Sequence, residues 1–237
     1  MKMKAKIDCI DVTYDVKFAT PAFDLPSNNT SVLKAFYETI HPRFRINTRD
    51  MHVAEGNLLA DARVHVTLFN GNGVINISVD KMALFFNDLE TKKDLKICKD
   101  CISLCEEALQ KSLPNVPVRT VVIEPRLFLE LNDEQEDAGN YLSRLQASNI
   151  HLDLSQFGSA VEHTEVNLEV ENFEEGWRAF LHAFRDRTKP SSLILSCQAI
   201  YRADGTVRGI ENRAKHLERL LKAFLDSIGM ETECLTE

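Results

Sequence analysis

Three thiols in one row are the residues whose spacing most suggests chemistry. Cys98, Cys101 and Cys105 read C-x-x-C-x-x-x-C, and three soft ligands so spaced can hold zinc or an iron–sulfur cluster when a fourth ligand lies nearby. Spacings of three and four are also what one buried stripe of a helix produces, and a reduced cysteine packs as a small apolar side chain. Core packing is the stronger reading, so no metal or other cofactor is expected. The histidines offer less. His151 with Asp153, and His163 with Glu165, set an imidazole and a carboxylate on the same side of a strand, as half of a metal site or an acid–base pair would. His52 beside Asp50 and Glu55, His65 beside Arg63, and His182 near Trp177 match no hydrolase or deaminase spacing. There is no G-x-S-x-G elbow, phosphate-binding glycine loop or kinase signature. No catalytic residue is assigned, and the reading leans away from an enzyme, with an unrecognised hydrolase-type activity as the remote alternative.

Charge carries the functional expectation. Six acidic residues between Glu162 and Glu175, namely Glu162, Glu165, Glu169, Glu171, Glu174 and Glu175, run without a Lys or Arg. A second acidic cluster follows Glu130 through Asp133, Glu134, Glu136 and Asp137. Two basic groups stand opposite: Arg43, Arg45 and Arg49, and the later Arg202, Arg208, Arg213, Lys215, Arg219 and Lys222. Opposed patches suit a protein partner or self-association, although helix-dipole preference accounts for part of the pattern. Arg202 and Arg208 also bracket a turn, Ala203-Asp204-Gly205-Thr206, that leads into a helix N-terminus where anions are favoured. With Arg213 they form the candidate site for a nucleotide or nucleic-acid phosphate. Against a long nucleic-acid track stands the balance of 28 Lys+Arg to 36 Asp+Glu, a formal charge of −8.

The elements that must position these residues follow from periodicity. Val12, Tyr14, Val16 and Phe18 alternate with polar neighbours as a strand that ends at Pro21. A helix capped at Thr30 or Ser31 carries Leu33, Phe36, Tyr37 and Ile40 and stops at Pro42. Val64 to Leu68 and Ile75 to Val79 alternate on either side of Asn70-Gly71-Asn72-Gly73, the clearest hairpin in the chain. Ala83 to Phe86 extends this antiparallel meander. Thr91-Lys92-Lys93-Asp94 resembles a capping box and opens a helix over 92–113 that buries the cysteine row. A strand from Val116 to Leu131 contains Pro125, which predicts an edge or a bulge, and Asn132 can cap the helix of Ala138, Tyr141, Leu142 and Leu145.

The later part reads similarly. Strands at Leu152–Leu154 and Val166–Val170 precede a helix over 173–187, announced by Asn172 and Glu175 and faced by Phe173, Trp177, Phe180, Leu181 and Phe184. A strand from Leu193 to Tyr201 follows, then a helix over 208–229 ending at Gly229. The chain thus divides at Gln146–Ile150 into α+β halves, 1–147 and 148–237, related by duplication or else part of one continuous domain. The fold class is α+β, with antiparallel or mixed sheet and helices on one face. Hydrophobic residues at 44% with only 9 Gly and 7 Pro exclude a disordered or low-complexity chain. No run approaches the roughly 18 apolar residues of a membrane span, and Met1-Lys2-Met3-Lys4 does not open a signal peptide. The free thiols fit a reducing compartment. The expectation is a soluble cytoplasmic, non-enzymatic interaction or assembly protein of unknown specific role, with a protein partner or a second copy and no membrane.

Overall fold

The computed structural model describes residues 2–54, 62–132, 137–149, 165–186, 188–189 and 191–233. Its centre is β1 (Met3–Phe18), whose Ile10, Val12, Tyr14, Val16 and Phe18 form one buried row. The chain continues through α1 (Leu25–Phe44), β2 (Met51–Ala54), β3 (Arg63–Leu68), β4 (Gly73–Ile77), β5 (Lys81–Leu89) and α2 (Lys92–Ser112). Next come β6 (Val118–Leu131), α3 (Ala138–Asn149), β7 (Glu165–Asn172), β8 (Trp177–Arg185), β9 (Ser192–Arg202), α4 (Ile210–Ser227) and β10 (Met230–Glu233). The fold is α+β. The described strands form one sheet in the order β2-β3-β4-β5-β1-β6-β9-β8-β7, antiparallel throughout, with β10 added parallel to β1.

Local signals explain most boundaries. Thr91 Oγ1 accepts from Asp94 N at 3.1 Å while Asp94 Oδ2 accepts from Thr91 N at 3.0 Å, so the capping box forms with Asp in the glutamate position. The Asn-Gly hairpin joins β3 to β4 in the register Leu68 to Gly73. At the end of α4, Gly229 turns out with φ 71°, as a helix-ending glycine does.

Four expectations are corrected. The segment 173–187 is not a helix. Trp177, Ala179, Leu181 and Ala183 point to one side of β8, and Arg178, Phe180, His182 and Phe184 to the other. Asn172 Oδ1 does accept from Glu175 N at 3.1 Å, but the bond closes the β7–β8 turn. The same side-chain-to-backbone bond serves a helix cap or a hairpin. Pro125 sits in a central strand rather than at an edge. It lies opposite Val12 on β1, and the ladder from β6 to β9 skips Glu124 and Pro125 without losing register, because proline has no N–H to give. The first helix begins at Leu25 with proline in its first turn and runs past Pro42 to a left-handed Arg45. The helix α3 takes its cap from Asp137, whose Oδ1 accepts from Gly139 N and Asn140 N, rather than from Asn132. The expected strand at Leu152–Leu154 lies outside the described residues.

The buried rows of the strands join Val32, Phe36 and Ile40 of α1, the cysteine stripe of α2, Ala138 and Leu142 of α3, and Leu217 and Phe224 of α4 in one core. None of the helices among the described residues is long and apolar enough to cross a membrane.

Candidate functional site

Cys98, Cys101 and Cys105 line the core side of α2, each at most 4% exposed. Burial raises the Cys98 and Cys105 thiols above their ordinary range, and it pushes Cys197 up to about 12. Among the described residues no group of three or more His, Cys, Asp or Glu side chains is arranged to hold a metal. His151, Asp153 and His163 lie outside the described residues. His65 is held between Asn76 Oδ1 and Thr67 Oγ1 at 2.7 and 3.2 Å, and His182 contacts Glu165 across β7 and β8 at 3.1 Å.

The three arginines of the expected phosphate site do not form an open cradle. Arg202 grips Asp204 with two nitrogens, at 2.9 and 2.7 Å. Arg208 donates to the carbonyls of Gly205 and Asp204 and so staples the turn. Arg213 is buried. Its Nη1 donates to Tyr14 Oη at 3.1 Å and Glu106 Oε1 at 3.2 Å, and Tyr14 also donates to Glu106. Nearby, Tyr201 Oη reaches His216 Nδ1 at 3.1 Å, and the His216 ring meets Trp177 edge-on at 4.5 Å between centroids. This polar chain ties β1, β9, α2 and α4 together inside the molecule.

Part of the charged patches is matched within the chain. Arg43 pairs with Asp100 on α2, and Glu169 with Arg178 on β8. Glu162 is outside the described residues. Lys215, Arg219 and Lys222 are exposed along α4 but share that surface with Glu211 and Glu218. Arg45 and Arg49 line a cleft of about 180 Å³ between the end of α1 and the β3–β4 turn. A neighbouring cleft of about 470 Å³ shares Phe69 and has Asp88, Glu90 and Asp94 around an apolar floor of Phe86, Ile97 and Cys98. Arg45, Phe69, Asn70 and Asp88, all with positive φ, gather at this corner.

The most extensive unexplained feature is the outer face of the sheet. Phe85, Phe128, Phe180, Phe184, Ile194 and Ile200 are partly exposed and belong to no part of the core. Ala83 and Val122 lie in the same rows, buried by their neighbours yet separate from the core. Charges interleave with these side chains. Lys81 bonds Asp15 at 2.8 Å, and Arg178 lies over the Phe180 ring at 4.6 Å. Glu124 is half-buried there. Burial favours its neutral form, but hydrogen bonds from Gln198, Arg126 and Ser196 outweigh that and hold its pKa below the usual value.

No known protein family matches the sequence, and no curated protein matches it. Two solved structures to which it is similar overlap it only loosely. The TBP of Methanococcus jannaschii is 13% identical over 95% of this chain and 98% of its own, with a TM-score of 0.29. The di-domain ARO/CYC StfQ of the steffimycin biosynthetic pathway is 9% identical over 91% of this chain and 95% of its own, with a TM-score of 0.19. Overlaps this loose leave function to the chain's own residues.

Sequence reasoning passed over the outer-face side chains, although a signal for them exists. Leu193 to Tyr201 is apolar in both phases of the strand, as is Leu127-Phe128-Leu129. A strand with only one dry face alternates strictly, so apolar residues in both phases mark a sheet whose second face is also not given over to water.

Proposed function

We propose that this chain is a non-enzymatic interaction or assembly protein that binds another protein through the outer face of its sheet. The single observation behind the reading is the set of four phenylalanines and two isoleucines that lies outside the core. Large aromatic side chains set among arginines are the composition of protein interfaces, where they act as anchors. A nucleic-acid track would need an excess of cations. Here Lys17, Arg126 and Arg178 alternate with Asp11, Asp15, Glu124 and Glu169, a balance that suits protein better than phosphate.

Native mass spectrometry of the untagged protein, gently purified from its own host at low salt, tests the reading. The wild-type chain is expected to carry additional protein mass. Phe128→Asp and Phe180→Asp, each with unchanged circular dichroism, are expected to lose it. The association should weaken as salt rises, since exposed charges are screened over about 8–10 Å at physiological ionic strength. Association undiminished in both variants, or a bare monomer under all conditions, overturns the proposal.

A further inference from the structure

We infer that the partner on this face is a second copy of the chain, the two sheets stacked about a two-fold axis parallel to the strands. The inference rests on the reading of the outer face as a protein-binding surface, and it begins from the difference between the two ends of the sheet. One cross-strand row on that face starts at His52 and His65 on β2 and β3 and ends at Arg178 and Glu171 on β8 and β7. Beside it at the first end stands Arg63, exposed on β3, and beside it at the other stands Glu169, with Glu165 further along β7. Glu165 and Glu169 have partners within the chain. Glu171 and Arg63 form no ion pair among the described residues, although both are exposed. Among the described residues, each molecule thus offers an unmatched carboxylate at one end of the face and an unmatched cation at the other.

Symmetry converts that polarity into a contact. A two-fold axis in the contact plane and parallel to the strands reverses the strand order of the partner. With the axis between β1 and β6, β7 of one copy lies over β3 of the other, β8 over β4 and β9 over β5. Glu171 then faces His65 with Arg63 one pleat away, and Phe180 faces Val74. The same pairings recur on the other side, as in any isologous interface. A two-fold axis across the strands would instead set β7 on β7 and the glutamates on one another, which like-charge repulsion opposes. The eight overlapping strands, β3 to β7 in the sheet order, span roughly 38 Å at about 4.8 Å each, and five residues per strand about 17 Å. The overlap therefore offers about 650 Å² per copy, near the roughly 800 Å² per partner of stable complexes.

Analytical ultracentrifugation of the purified full chain tests this with charge reversals at the two ends. The wild-type protein is expected to sediment as a dimer of the 26.9 kDa chain at low salt. Glu171→Arg and Arg63→Glu should each weaken dimerisation at least tenfold, because each homodimer then opposes like charges twice. Mixing the two variants should restore the dimer, since both of its contacts become complementary. Both positions are exposed, so circular dichroism should be unchanged. A dimer indifferent to both reversals overturns the inference. So does a wild-type chain that stays monomeric at about 100 µM. If that monomer still acquires a different protein that Phe128→Asp and Phe180→Asp abolish, only the choice of a second copy falls. If nothing depends on the face, the proposed function falls with it.

Discussion

At the residue scale, Arg213 is the clearest case of a charge that the interior must satisfy. It is 7% exposed, and its only anionic partner among the described residues is Glu106. Glu106→Ala strands a guanidinium in the core and should cost about 3 kcal/mol, the low end for a buried pair because Glu106 touches solvent at one edge. A joint Glu106→Leu, Arg213→Met change should recover much of that loss in urea unfolding. His216 makes a pH prediction. Burial lowers its pKa from the ordinary 6.5, Arg219 adds to the lowering, and Glu175 pulls the other way. The folded state therefore holds this proton less tightly than the unfolded chain does. Its contribution to stability is whole above about pH 6.5 and is lost as pH falls through the folded value. The stability difference between wild type and His216→Gln, measured from pH 7.5 down to about 5, should shift within that window. A constant difference would contradict it. The thiols of Cys98, Cys101, Cys105 and Cys197 should resist a disulfide reagent in the native protein and react in urea. Fast native labelling of any of them would show that the core opens there.

At the element scale, the β7–β8 turn shows how a correct local signal led to a wrong element. Asn172 and Glu175 make the bond expected of them, but Gly176 follows with φ 76°, which turns the chain back as a strand. A Cβ at Gly176 would come within 2.9 Å of Gly205 Cα in the β9–α4 turn. Gly176→Ala therefore carries both backbone strain and a clash and should cost about 2–4 kcal/mol. Gly209→Ala has the same sign of φ with open space around it, so it should cost only about 1–2 kcal/mol. Equal losses for the two variants in chemical denaturation would remove the close approach of the turns as a factor. The capping box at Thr91 and the Asn-Gly hairpin were legible because each depends on residues within four positions. Pro125 was misplaced because a proline is excluded from a central strand only where its N–H is needed, and that depends on the neighbouring strand.

At the scale of the whole molecule, the strand order matches on the two sides of the β1–β6 pair except for β2 at one edge and β10 beside β1. The order is strand, helix, strands, helix on both sides, with β5 and β9, β4 and β8, and β3 and β7 at matching distances. The α2–β6 connection separates these two runs of elements. With β1 and β6 joined along almost their full length, neither side keeps its sheet intact without the other. Urea unfolding followed by the fluorescence of Trp177 and by far-ultraviolet circular dichroism should give coincident transitions. An earlier loss of the Trp177 signal would show the β7–β9 side opening independently.

Residue order alone determined the α+β class, the long helices and the meander, because those rest on short-range periodicity and turn chemistry. It also determined that the cysteine row lies on one helical face. Only the tertiary structure decided that 177–185 is a strand and that Arg213 is an interior residue. The same holds for the phenylalanines of β5, β6 and β8, which share one outer face. Each of these depends on which element lies alongside, and such contacts join distant residues, 199 positions apart for Arg213 and Tyr14, where no local pattern reaches.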